Sequence, residues 1–103
     1  MKNLLFTGAS GFLGTNIIPL LTTQYNIKTL GISGSDDYKV NIASEVPVLK
    51  SEKFDLVLHA AGKAHSVPKT EAEEKVFFDV NLQGTINLCK ALEKNQPPKA
   101  IVF

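Results

Sequence analysis

An α/β fold built on a doubly wound parallel sheet follows from three features of these 103 residues. Short apolar runs alternate with segments of helical periodicity, the apolar runs lack the polar alternation of a sheet with one wet face, and regularly spaced glycines join the first run to the first helical segment. Strands that alternate with helices run parallel, are joined by right-handed crossovers, and are buried under helices on both faces. A chain of this length forms one domain at most, with a single core.

Residues 2–7 contain the run Leu4-Leu5-Phe6 and read as the first strand. Phe12, Leu13, Ile17, Ile18, Leu20 and Leu21 carry helical spacing over 12–24, and Pro19 within it removes a backbone donor, so a kink or an early end is expected there. Ile27-Lys28-Thr29-Leu30-Gly31-Ile32 is the second strand, closed by the turn formers Ser33-Gly34-Ser35-Asp36-Asp37. Tyr38 to Ile42 reads as a third strand, followed by a short helix with Ser44 as N-cap, Pro47 in its first turn and Val46, Val48 and Leu49 on its apolar face. The nearly all-apolar run from Phe54 to Gly62 is the fourth strand and its turn. A long helix spans 71–95, with Val76, Phe77, Val80, Ile86, Leu88, Cys89 and Leu92 as apolar positions. Pro97 and Pro98 follow it, and Lys99 to Phe103 opens a fifth strand.

Composition excludes several classes of function. Eleven basic and ten acidic residues leave a net charge of +1, so neither nucleic acid nor an anionic membrane is expected as partner. The lone Cys89 has no internal disulfide partner and reads as a buried thiol in an apolar pattern. The run after Met1 is too short for a signal peptide and no segment approaches a membrane span, which places the expectation on a cytoplasmic protein. His59 and His65 have no cysteine or carboxylate cluster beside them, so a metal site is not expected, and Lys63 and Lys69 read as solvated.

The stretch Thr7-Gly8-Ala9-Ser10-Gly11-Phe12-Leu13-Gly14 carries the chemistry. Glycines there let the backbone turn sharply, approach a ligand without a Cβ in the way, and pack a helix closely on a strand. The N–H groups and dipole of the helix that follows attract a pyrophosphate without any lysine or arginine. The spacing G-x-x-G-x-x-G differs from the dinucleotide fingerprint G-x-G-x-x-G by one residue, and a purely structural strand-to-helix corner is the competing reading. In a doubly wound sheet the ligand lies at the carboxyl ends of the strands, at the switch point between the first and the fourth; the turn His59-Ala60-Ala61-Gly62 is expected at the same place.

Three segments, in this order, resemble the extended short-chain dehydrogenase/reductase superfamily, and within it the nucleotide-sugar epimerases and dehydratases. Thr7 to Gly14 is similar to that family's T-G-x-x-G-x-x-G, His59-Ala60-Ala61-Gly62 to its H-x-A-[AG] turn, and Asn81-Leu82-Gln83-Gly84-Thr85-Ile86-Asn87-Leu88 to its N-x-x-G-T-x-N-L. The resemblance covers essentially the whole chain and implies a Rossmann fold, truncated after the fifth strand. On that basis residues 1–103 are the N-terminal part of a dinucleotide-binding domain, with the C-terminal catalytic and substrate-binding part absent. It implies that Gly8, Gly11, Phe12, Leu13 and Gly14 cradle the pyrophosphate of NAD, that Asn41 and Ile42 touch the adenine where the family often has Asp-Leu or Asp-Ile, that Ala60, Ala61 and Gly62 border the ribose and nicotinamide, and that Asn81 holds the geometry beside the nicotinamide. NADP stays open, because Gly31-Ile32-Ser33 supplies neither the acid that binds a ribose 2′-hydroxyl nor an arginine for a 2′-phosphate, and Asp36 and Asp37 read as solvated turn residues.

Family members transfer hydride to and from a sugar carbon with a Tyr-x-x-x-Lys pair. A tyrosine with an ordinary pKa near 10 needs a neighbouring cation to act as a base at neutral pH. Tyr25 is followed four places on by Thr29 and Tyr38 by Ile42, so neither begins the pair. The expectation is a cofactor-binding segment of an NAD-dependent enzyme with a nucleotide-sugar substrate, itself without catalytic residues. The alternatives are a redox-sensing or regulatory Rossmann protein without catalysis, and a homodimer formed through the fifth-strand edge.

Overall fold

The computed structural model describes residues 1–50, 52–60, 70–95 and 97–102, and of residues 76–78 and 80 the backbone only. The element order is β1 (Lys2–Thr7), α1 (Phe12–Leu21), β2 (Tyr25–Gly31), β3 (Tyr38–Lys39), β4 (Leu56–His59), α2 (Glu71–Lys94) and β5 (Ala100–Val102). All strand pairs are parallel and the sheet order is β3-β2-β1-β4-β5, the doubly wound arrangement expected. From β1 the chain steps one way to β2 and β3 and the other way to β4 and β5. Right-handed crossovers therefore put α1 and α2 on opposite faces, and the reversal between β1 and β4 opens a crevice at their carboxyl ends.

Register sorts the side chains. Leu5 stands opposite Val57 and Thr7 opposite both His59 and Leu30, so these share one face. There Leu5, Leu30 and Val57 form the core with Leu88, Ala91 and Leu92 of α2 and with Tyr38, Ile42, Leu49 and Phe54. Leu4 and Phe6 point the other way, on the face of α1, and are also fully buried. The Tyr38 ring meets Phe54 edge to face at 6.4 Å, and its hydroxyl donates to the Leu49 carbonyl and the Glu52 carboxylate. Buried Asn87 donates to the Ile42 carbonyl at 2.6 Å, and Asn95 donates to the Glu52 carbonyl, which ties α2 to the segment before β4.

Several expectations shift. Helix α1 ends at Leu21, short of 24, the early end expected from Pro19: the Thr22 hydroxyl donates to the Pro19 carbonyl and Gln24 N–H to Leu21, winding the chain into a turn. The second strand runs 25–31, since Ile32 already belongs to the turn. The third strand is only Tyr38–Lys39, because the chain turns at Asn41, whose carbonyl accepts from Ser44 and Glu45 N–H and whose side chain accepts from Ala43 N–H.

The short helix around Ser44 to Leu49 does not form. The Ser44 hydroxyl donates backward to the Asn41 carbonyl instead of capping forward, and a proline at 47 drives Val46 out of helical backbone. Pro47 and Leu49 are buried while Val48 between them is exposed, which is the period of an extended segment. The fourth strand is Leu56–His59, and Phe54 precedes it as a core residue. The side chains of Val76, Phe77 and Val80, assigned above to the apolar face of the long helix, lie outside the described residues, as does Phe103.

Candidate functional site

The crevice between β1 and β4 is built first by the glycine turn. Buried Thr7 ends β1, and Gly8 adopts φ 79°, the left-handed region that favours glycine. Gly8 N–H donates to the Leu30 carbonyl at 3.3 Å, and its own carbonyl accepts from Gly11 N–H at 3.0 Å, closing the turn. Gly11 is the N-cap of α1, in extended backbone, and its carbonyl takes the first helical bond from Thr15 N–H at 3.0 Å. Gly14, one turn into the helix, lies so close to the loop that any Cβ there would stand 2.6 Å from the Ala9 Cα and in collision with its carbonyl oxygen. Only glycine lets α1 start this near the strand end. Among the described residues no side chain caps this start, and no acid lies in the first turn, so the positive dipole end of α1 is not offset there. Phe12, 75% exposed, and Leu13 stand at the rim.

The opposite wall is the end of β4. Ala60 N–H donates to the Thr7 carbonyl at 3.0 Å, and the His59 imidazole lies between two threonines. Its Nδ1 is 2.6 Å from Thr7 Oγ1 and its Nε2 is 3.1 Å from Thr85 Oγ1 on α2. Thr85 donates its hydroxyl hydrogen to the Asn81 carbonyl at 3.0 Å, which makes Nε2–H the donor to Thr85 and leaves Nδ1 to accept from Thr7. Burial holds the His59 pKa below its ordinary 6.5, in keeping with this neutral tautomer.

At the third edge, the end of β2, Asp36 is a turn residue as expected, but half-buried rather than fully solvated. Its carboxylate folds back over the strand end, accepts from Ser33 N–H at 3.0 Å and packs against Gly31, while Asp37 accepts from the backbone N–H of Thr29 at 2.8 Å. The tight Ser33–Asp36 turn shortens the path from the strand end to the carboxylate, which spacing along the chain does not report.

Of the residues expected at the site, Gly8, Gly11, Phe12, Leu13, Gly14 and Ala60 converge on the crevice, and Asn81 joins them through Thr85 and His59. Asn41 is exposed, with its carbonyl side-chain oxygen engaged by Ala43 N–H. The Ile42 side chain lies in the core beside Gly84 of α2. Ala61, Gly62, Lys63, His65 and Lys69 lie outside the described residues. His59, at the end of β4, is part-buried and hydrogen-bonded, and the threonines on either side of its ring belong to the first and third motifs.

The family model described as NAD dependent epimerase/dehydratase matches residues 4–103. The chain belongs to that family. An N-acetyl-alpha-D-glucosaminyl-diphospho-ditrans,octacis-undecaprenol 4-epimerase of Escherichia coli O157:H7 is 35% identical over 109 residues, a match covering 98% of this chain and 31% of the relative. A UDP-glucose 4-epimerase of Vibrio cholerae is 31% identical over 102 residues, covering 86% of this chain and 30% of the relative. The chain thus spans about a third of the length of these relatives. In fold it is similar to the crystal structure of UDP-glucose 4-epimerase from Bifidobacterium longum in complex with NAD+ and UDP, with a TM-score of 0.70 at 24% identity over 91% of this chain and 34% of that one. Among the described residues no helix is long and apolar enough to cross a membrane, and no group of three metal-ligating side chains occurs.

Proposed function

We propose that residues 1–103 are the NAD-binding part of a nucleotide-sugar epimerase or dehydratase, and that the dinucleotide lies across the carboxyl ends of β2, β1 and β4. The observation that carries this reading is the bare N-terminus of α1, held against the strand end by Gly8 and Gly14. A pyrophosphate fits there, because backbone donors and the helix dipole stabilise it where a side chain on Gly14 would exclude it. Phe12, Leu13 and Gly14 supply the N–H groups. Asp36 stands where a ribose 2′-hydroxyl would be bound and a 2′-phosphate repelled, which favours NAD over NADP. Asn41 offers an amide donor toward the adenine side, and Ile42 contributes from the core beneath. Ala60, with Ala61 and Gly62, borders the nicotinamide side.

NAD, when bound, supplies a hydride acceptor for a sugar carbon, and the nucleotide-sugar substrate is inferred from the relatives. This chain alone is inactive on our reading. The Tyr38 hydroxyl donates to Leu49 and Glu52, and burial together with the Glu52 carboxylate pushes its pKa well above the ordinary value, the opposite of what a base requires. Calorimetric titration with NAD and NADP tests the proposal: heat of binding with NAD, weaker with NADP, is expected. No heat with either, in a folded sample, would refute it.

A further inference from the structure

We propose that His59 is the positioning residue of the dinucleotide crevice: its imidazole sets the separation of the β1 end, the β4 end and the Asn81–Thr85 turn of α2 by accepting from Thr7 and donating to Thr85. The proposal rests on the reading of this crevice as an NAD site.

The geometry is that of a brace. Thr7 directly precedes Gly8, the residue whose left-handed backbone starts the turn, and stands opposite His59 in the β1–β4 register. A backbone bond, Ala60 N–H to the Thr7 carbonyl at 3.0 Å, runs beside the side-chain bond from Thr7 to Nδ1 at 2.6 Å, so two bonds fix the wall of the crevice at one level. Across the ring, Nε2 reaches Thr85 at 3.1 Å, and Thr85 reaches the Asn81 carbonyl one turn earlier in the helix. Toward its other end α2 is held by Asn87 on the Ile42 carbonyl and by Asn95 on the Glu52 carbonyl. The Thr85–His59 bond holds it at the level of the crevice.

The order of donors is also directional. Thr7 O–H points to Nδ1, Nε2–H to Thr85, and Thr85 O–H to the Asn81 carbonyl, so the imidazole is engaged on both sides in a single tautomer. A phenyl or amide side chain of similar size does not accept on one edge and donate on the other at this span. The burial of His59 keeps it neutral, the form this order requires. The three sequence motifs, each ordinary as a turn or helix segment, thus meet through one ring. Its task is to keep Asn81 and the glycine turn at the spacing a dinucleotide needs.

The test combines nitrogen-15 NMR of the histidine ring with NAD titrations of the wild-type chain, Thr85→Val and Thr85→Ser. The expected spectrum shows His59 as the neutral Nε2–H tautomer at pH 7, with that signature altered in Thr85→Val and retained in Thr85→Ser. Thr85→Val, which keeps the shape and removes the hydroxyl, is expected to weaken NAD binding about tenfold, the equivalent of one hydrogen bond, while Thr85→Ser binds as the wild type does. An Nδ1–H or cationic His59, or a Thr85→Val that binds NAD like the wild type, would overturn the brace. Wild-type chain that binds no NAD would instead overturn the NAD site and the brace with it. Should Thr85→Val not fold, the wild-type tautomer still decides.

Discussion

The two helices begin in opposite ways. The N-terminus of α2 is satisfied from within: Thr70 accepts from Glu73 N–H at 3.1 Å, and Glu71, Glu73 and Glu74 place negative charge in the first turn. The N-terminus of α1 has Gly11 as its cap, no side-chain bond and no acid. A side-chain cap contributes about 1 kcal/mol, and acids near the dipole about 0.3–1 kcal/mol each. At α1 that stabilisation is forgone, and glycines hold the bare end tightly to the strand. That contrast is what the proposed pyrophosphate site at the start of α1 rests on.

The largest effect expected from breaking this contrast comes from Gly14→Ala. The new Cβ collides with the Ala9 backbone, so the helix start must move away from the turn. Overpacking of this kind costs about 1–3 kcal/mol in stability, and NAD binding is expected to fall by about a hundredfold, which is about 2.8 kcal/mol at about 1.4 kcal/mol per tenfold; thermal melts and calorimetry measure both.

The sharper test is Phe12→Glu, which gives α1 the acid that α2 has. Stability is expected to rise by about 0.3–1 kcal/mol while NAD affinity drops about tenfold, because the carboxylate takes the place of the pyrophosphate. The matching change at the other helix, Thr70→Ala, is expected to lower stability by about 1 kcal/mol and leave NAD binding unchanged.

The smallest effect is in pH. His59 is held neutral by burial, below its ordinary 6.5. As pH falls through about 6.5 the unfolded chain takes up the proton first, so the His59 contribution to stability is complete above that pH and declines below it. Denaturation midpoints between pH 5 and pH 7.5 in the wild type and in His59→Gln check this, and the variant is expected to lack that part of the slope.

The sequence made the sheet and its switch point legible because both depend on patterns that register cannot scramble: fully apolar strands, alternating helices, and glycines where a turn needs them. Gly8 and Gly14 were visible for that reason. What was not legible depended on local competition. The segment from Ser44 to Leu49 has a capping residue, a proline and apolar spacing, yet the Asn41 turn took its polar groups and Pro47 kept it extended. The sequence places Asp36 in the turn after β2, but not the fold of its carboxylate back on Gly31, because distance along the chain says little once a tight turn closes. The role of His59 lay in pairing between segments far apart in sequence, which no periodicity reports.

The central claim, that the bare start of α1 is an anion site and the capped start of α2 is not, is tested most directly by following backbone amide resonances during a titration with NAD. The largest shifts are expected on Gly11, Phe12, Leu13 and Gly14, while Glu71 to Glu74 stay still. Saturable binding with no movement at Phe12 to Gly14, or with the movement centred on the start of α2, would contradict it.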